Sequence, residues 1–291
     1  MILVAGGTGT LGSRVVTTLT AGGRAVRVLT RDAERARHLE RTGAEVFVGD
    51  LLDTGAVCSA MDGITTVVSA AQGFAGPNAK GGTAVDVRGN ANLTQAGLAE
   101  GIERFVLVSA AFSTPDSPLE LRRAKYQAEQ ALMHSGLSWA ILRPTVYLET
   151  WLGLLGEMIA GKGSVTLFGR GDNPINFVSA DDVAVAVERL TSSPEQVGAV
   201  LEIGGPEDIT LNTLAGSVLA AHGSAGSVRH VPLPVMRTMA MLLRRVKPSV
   251  AMLAQFGVIM DTTDMTLALD AARAAIPDLP TTTLGDLLAA A

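Results

Sequence analysis

At 291 residues the chain can bury a sizeable core, as one domain with an added lobe or as two domains. Its 47% hydrophobic and 18% charged residues exclude a disordered chain, and a formal net charge of −5 argues against a nucleic-acid partner. The single cysteine, Cys58, excludes an intramolecular disulfide and fits a reducing compartment, with burial as a small hydrophobe its expected state.

The opening residues Ile2–Ala5 read as a short apolar strand running into Gly6-x-x-Gly9-x-x-Gly12, followed by a helix with Leu11, Val15, Val16 and Leu19 on one face. A tight turn, a backbone that must approach a pyrophosphate, and a helix touching a strand without side chains between them all call for glycine. The helix start then offers bare N–H groups and a positive dipole end to the anion. In this strand–turn–helix context the motif predicts a dinucleotide site, with Gly6, Thr8, Gly9, Thr10, Leu11 and Gly12 at the phosphates. The apolar start carries no basic n-region, and the run from Val250 to Met260 is broken by Gln255 and Gly257. A cytoplasmic protein with neither membrane nor nucleic-acid partners is expected. The basic cluster Arg244, Arg245 and Lys247 reads as a solvated helix end.

A second strand, Ala25–Thr30, ends at Arg31, where the adenosine ribose of a dinucleotide would lie. A guanidinium there suits the 2′-phosphate of NADP, so NADP is the preferred cofactor and NAD the alternative. Two other readings stand beside it: Asp32 takes the ribose, or Arg31 merely begins a polar helix over Arg31–Arg41. The third strand, Glu45–Val48, ends in Gly49-Asp50-Leu51, where Asp50 either accepts from the adenine amino group or caps the next helix; capping suits Asp53. After the fourth strand, Thr65–Ala70, the small residues Ala70 and Ala71 line the cofactor channel. The Gly-rich Phe74–Gly82 reads as a loop and candidate lid, with Phe74 toward substrate, and a helix follows from Thr83 to Glu100.

The fifth strand, Arg104–Ser109, leads through a loop to a helix over Leu119–Ser135. Its expected apolar face holds Leu121, Ala124, Ala128, Ala131 and Leu132, with Glu129 elsewhere and Lys125 at the edge, either snorkelling outward or reaching a site. A sixth strand, Leu137–Leu142, precedes Arg143-Pro144-Thr145, and Tyr147 and Trp151 beyond it are candidate substrate-pocket residues. Strand-like Ser164–Phe168, a helix opening at Ser179–Asp182 and a last core strand, Ala199–Ile203, come next, and the remainder is helix-rich. The alternation of strand and helix predicts an α/β, Rossmann-type, doubly wound parallel sheet with a smaller C-terminal substrate lobe. The expected division is 1–147, with the sheet completed by about 176–205, against a lobe of 148–175 and 206–291. His38, His134, His222 and His230 are scattered without metal-ligand spacing, and no metal is expected.

The ordered set Gly6–Gly12, Leu29–Asp32, Gly49–Leu51, Phe105–Ser109, Lys125 with Ala128-Glu129, Leu142–Thr145, Val178–Val183 and Leu201–Leu214 resembles the atypical short-chain dehydrogenase/reductases. The NmrA-like branch, with its NADPH-sensing regulators and NAD(P)H quinone reductases, is the nearest in pattern. The resemblance implies that Gly6, Gly9, Gly12, Arg31 and Asp50 hold the cofactor, that Lys125 contacts the nicotinamide ribose, and that Pro144 and Thr145 lie near the carboxamide. The position where such enzymes carry a hydroxyl falls near Ala110 or Ala111, both alanine, with Ser109 just before. Their tyrosine, one helical turn before the lysine, is Leu121 here, and Tyr126 lies about 100° away around the helix. Carbonyl redox by the usual proton donor is therefore not expected. Donation to ribose hydroxyls suits an ordinary lysine cation better than the role of base. Two functions lead: an NADPH-dependent oxidoreductase acting on a small apolar conjugated acceptor, or a cofactor sensor acting through a regulatory protein partner; an isomerase or epimerase, a third reading within the superfamily, normally needs the missing tyrosine. The oligomeric state stays open.

Overall fold

The computed structural model describes residues 1–73, 83–243, 246–267 and 275–290, so Phe74 and the expected lid, like Arg244 and Arg245, lie outside the described residues. Two compact units divide the chain. The first holds Met1–Pro144, Ala180–Ile203 and a stretch whose described residues are 275–280. The second begins at Thr145 and runs to Ser179, resumes at Gly204, and takes the C-terminal residues from Thr281.

Strand and helix alternate from the start: β1 (Ile2–Ala5), α1 (Thr10–Ala21), β2 (Val26–Thr30), α2 (Ala33–Glu40), β3 (Glu45–Val48), α3 (Thr54–Ala60) and β4 (Thr66–Ser69). A π-helical turn, Val85–Gly89, leads into α4 (Asn90–Glu100), then β5 (Arg104–Val108), α5 (Glu120–Met133) and β6 (Trp139–Pro144). The second unit begins with β7 (Val146–Tyr147), α6 (Leu148–Lys162), β8 (Val165–Phe168) and β9 (Pro174–Val178). The chain then returns to the first unit for α7 (Ala180–Ser192) and β10 (Ala199–Ile203).

Seven parallel strands form the main sheet in the order β10-β6-β5-β4-β1-β2-β3. This is the expected doubly wound sheet. Its central strands are buried along their whole length because both faces are covered: every residue of β1, β4 and β5 is buried, the polar Thr66, Ser69 and Arg104 included. The strand order reverses at β1, which has β2 on one side and β4 on the other, so the crevice for a ligand opens at the carboxyl ends of β1 and β4. Leu11, Val15, Val16 and Leu19 of α1 are buried as the pattern predicts, and Arg14 Nε meets Asp181 Oδ1 at 2.9 Å between α1 and α7.

Several expectations are corrected. The sixth strand starts at Trp139 rather than Leu137, because Gly136 takes a left-handed turn (φ 85°) just before it. The main sheet gains only β10 from the later region, while β9 pairs with β7 and β11 (Asp208–Thr210) in a separate three-stranded sheet. Cys58 is exposed on α3, whose buried residues are Val57 and Ala60. The buried face of α5 is Ala124, Lys125, Ala128, Glu129 and Leu132, so it takes in two charges while Ala131 faces outward. Both charges are paired, which is what permits their burial. No helix among the described residues is long and apolar enough to cross a membrane.

Candidate functional site

The glycine turn closes the crevice from below. Gly6 takes φ +82°, and a Cβ on it would lie 2.7 Å from Ala71 Cα, so the exits of β1 and β4 are in direct contact. A Cβ on Gly12 would sit 2.1 Å from the Gly6 carbonyl oxygen; helix and strand touch through backbone alone. Gly9 differs. Its backbone (φ −87°, ψ 174°) suits any residue, and a Cβ there meets only Gly6 O, at 3.5 Å. Neither strain nor internal packing requires glycine at position 9. The space beside it is open. Helix α1 starts at Thr10 with no side-chain cap, which leaves its first N–H donors for an external anion. This cradle fits a pyrophosphate. Leu11 itself packs into the core and offers the turn its backbone only, while Thr8 and Thr10 present backbone carbonyls to Arg35 Nη2 (3.4 Å) and Arg14 Nη1 (2.8 Å).

On the β2–β3 side, Arg31 is exposed directly after β2. The neighbouring Asp32 is occupied: its Oδ1 accepts from Glu34 N and Arg35 N and caps α2. Arg35, not singled out from the sequence, is a second cation beside the turn through its bond to Thr8 O. Asp53 caps α3 through Gly55 N and Ala56 N, whereas Asp50 accepts from Leu52 N at 2.9 Å and shapes the turn after β3. Leu51 is buried in the core.

On the β4–β5 side, Ala70 N donates to Ala5 O and Ala71 is buried. Ser109 is buried at the end of β5, and its hydroxyl has no hydrogen-bond partner among the described residues. Ala111 N donates to Pro144 O at 2.8 Å, so the chain beyond β5 keeps following β6. The next residue, Phe112, takes φ 62°, an uncommon backbone state for an aromatic residue, and Arg122 lies 5.0 Å from its ring centre.

Lys125 turns inward. Its ammonium pairs with Asp86 Oδ1 (3.0 Å) and donates hydrogen bonds to Ala71 O (3.0 Å) and Val108 O (3.1 Å). Asp86 is fully buried in the π-helical turn, and its Oδ2 accepts from Gly73 N at 3.0 Å. Asn90 Nδ2 donates to Asp86 O, and Ser69 Oγ donates to Asn90 Oδ1, so the network continues into β4. One turn further along α5, Glu129 takes Arg143 in a two-pronged pair, Nε to Oε1 at 2.9 Å and Nη2 to Oε2 at 2.6 Å. Those bonds hold the Arg143 guanidinium above its usual range, against the opposing effect of burial. Asp86 carries no signal in the sequence, and Glu129 entered only as part of the family pattern beside Lys125. Among the described residues no cluster of His, Cys, Asp and Glu converges as a metal site.

The remaining sequence candidates fall in the second unit. Thr145 Oγ1 donates to Asn176 Oδ1 at 3.3 Å. Tyr147 ends β7, and burial, with the charge of Glu149 beside it, pushes its phenol well above the ordinary range. Trp151 on α6 meets Phe177 edge to face, with ring centres 6.3 Å apart.

A doubly wound sheet with a glycine turn at its reversal point defines a dinucleotide-binding protein. Residues 6–194 match the NAD(P)H-binding family, and the chain belongs to it, in its NmrA-like, atypical short-chain dehydrogenase/reductase form. Among curated relatives, the NAD(P)H azoreductase of Xenophilus azovorans is 30% identical over 234 residues, 80% of this chain and 77% of that one. The photosystem II assembly factor Ycf39 of Synechocystis is 25% identical over 243 residues, 84% and 74% of the two chains. The crystal structure of an NADPH-dependent quinone oxidoreductase from Escherichia coli, complexed with NADPH, superposes with a TM-score of 0.78 at 23% identity, covering 100% of this chain and 99% of the other.

Proposed function

We propose that the protein is an NADPH-dependent oxidoreductase that delivers hydride to an apolar conjugated acceptor, a quinone or an enone, with NADH as the weaker donor. The observation that carries this reading is an intact glycine turn combined with Leu121 where the usual proton-donating tyrosine would stand. The similarity to an NAD(P)H azoreductase and to a quinone oxidoreductase supports the same acceptor class. When bound, the reduced nicotinamide supplies a hydride; a quinone receives it as a delocalised hydroquinone anion that solvent protonates. No side-chain acid is needed.

The chain's own residues bind and orient. The first-turn N–H groups of α1 and the space at Gly9 take the pyrophosphate, and Arg31, with Arg35 nearby, takes the 2′-phosphate. Asp50 is assigned to the adenine, Ala70, Ala71 and Ser109 to the channel wall, and Pro144 with Thr145 to the carboxamide. The assignment of Ala111, Tyr147 and Trp151 to the acceptor belongs to the same proposal.

A second reading is a cofactor sensor that engages a protein partner. It is favoured by Leu121, where the proton-donating tyrosine would stand, and by the similarity to an assembly factor. NADPH oxidation measured with a panel of quinones decides. Steady turnover, abolished by Gly9→Val, supports the enzyme; tight NADPH binding with no turnover on any acceptor supports the sensor.

A further inference from the structure

We propose that the exposed face formed by Val235, Arg237, Met241, Leu242, Val246 and Lys247 docks on an anionic lipid surface. Charge points to it first. From Ile209 to Met260 the sequence holds five Lys or Arg and neither Asp nor Glu, which leaves 18 Lys or Arg against 28 Asp or Glu in the rest of the chain. In an acidic protein, so one-sided a stretch is the part that negative charge attracts. The run lies wholly in the second unit. The cofactor reading plays no part in the assignment.

The helices of the run are α8 (Leu211–Ala221), α9 (Leu233–Leu242) and α10 (Pro248–Thr262). Helix α9 has two apolar sides. On one, Met236 is fully buried and reaches α10, where a Cβ on Gly257 would lie 2.6 Å from its Cε. On the other, Val235, Met241 and Leu242 are 47%, 71% and 63% exposed, and Val246, just past the helix, is 75% exposed. At about 100° per residue, Val235 and Leu242 fall within about 20° of each other, with Thr238 and Met241 on the same side. Thr238 spends its hydroxyl on Pro234 O at 2.9 Å. The exposed Arg237 borders this side, and the exposed Lys247 follows Val246. Apolar side chains scattered singly over a surface carry no message, but a cluster edged with cations does.

Side chains this exposed project outward and do not line a groove. A protein partner would need pockets to receive them, whereas the headgroup region of a bilayer yields to them and its anionic lipids meet the cations. A second copy fits less well, because a two-fold contact through this face sets the same cations against one another. No described helix is long and apolar enough to cross a bilayer, so the contact proposed is peripheral. The expectation of no membrane partner came from the lack of a long apolar run, and a face made by exposure on a packed helix leaves no such run.

The test is co-sedimentation of the full chain with vesicles of phosphatidylcholine alone and of phosphatidylcholine mixed with phosphatidylserine. Uptake is expected on the mixed vesicles, little on the neutral ones, with a decline as salt rises. Arg237→Glu with Lys247→Glu should lower uptake on the mixed vesicles about tenfold or more, since each cation lost is worth roughly fivefold at such a surface. Met241→Glu with Leu242→Glu should lower it at least as far, while Leu98→Glu, at a 45% exposed leucine of α4 in the first unit, should leave it unchanged. Should a glutamate pair fail to fold, Arg237→Gln with Lys247→Gln, or Met241→Ser with Leu242→Ser, takes its place with the same expected direction. Wild-type protein that ignores the mixed vesicles would overturn the proposal, as would uptake that both pairs of substitutions leave intact. Retention by polyglutamate without vesicle uptake would give the face to an acidic polypeptide. A dimer in sedimentation velocity that Met241→Glu with Leu242→Glu dissolves, again without vesicle uptake, would give it to a second copy. Either result overturns the lipid assignment.

Discussion

Gly12 approaches Gly6 so closely that a methyl group at position 12 would lie 2.1 Å from the Gly6 carbonyl oxygen, whereas one at position 9 would find its nearest neighbour at 3.5 Å. Packing therefore holds position 12 to glycine and does not hold position 9, for which a ligand contact is predicted. Gly12→Ala should destabilise the fold by about 1–3 kcal/mol, since helix and strand must separate. Gly9→Ala should leave the melting temperature unchanged and remove NADPH binding. Thermal unfolding and calorimetry on both variants check this; a Gly9→Ala protein that binds normally would show that the turn does not meet the phosphates.

Cofactor choice is predicted to lie with Arg31, because Asp32 is already engaged as the cap of α2. Arg31→Ala should weaken NADPH roughly 10- to 100-fold while changing NADH little. Equal losses for both nucleotides would refute the phosphate assignment.

The Glu129–Arg143 pair anchors α5, and with it Lys125, to β6. Glu129 is wholly buried, while Arg143 keeps a second, looser contact with Glu202 at 3.7 Å. Loss of either partner should cost about 3–5 kcal/mol. Arg143→Met should be the more damaging of the two, since it strands a buried carboxylate, whereas Glu129→Leu leaves the guanidinium near Glu202. Denaturant unfolding of both variants gives the ranking, and the reverse order would contradict it.

Stability should also decline at alkaline pH through Tyr147. Burial, and secondarily Glu149, raises its phenol above the ordinary value of 10.0. The unfolded chain loses that proton near pH 10 while the folded chain keeps it, so the folded state is at full strength below about pH 10 and weakens above it. Urea unfolding at about pH 8 and about pH 11 should show the fall in wild type and a smaller one in Tyr147→Phe. Parallel declines would remove Tyr147 from the account.

The sheet was legible because its strands are short, predominantly apolar runs and its first turn is spelled in glycine. The network behind the crevice was not. The stripe on α5 was read from apolar residues alone, which put Glu129 outside and left Lys125 at the edge, yet both are buried because Arg143 and Asp86 come from distant segments to meet them. Pairing of this kind depends on the fold and leaves no local period. Cys58 misled for the opposite reason: cysteine is often buried, but α3 turns Val57 and Ala60 inward instead. Asp32 read as a candidate for the ribose, and only the start of α2 shows its carboxylate spent on the helix N-terminus.

The freedom at position 9 bears on how such chains diverge. A descendant that abandoned its coenzyme could accept a bulkier residue there and keep its architecture, while position 12 would stay glycine for as long as strand and helix remain in touch. Comparing the two positions across distant cousins would thus separate lineages that still carry a nucleotide from those that retain only its empty scaffold.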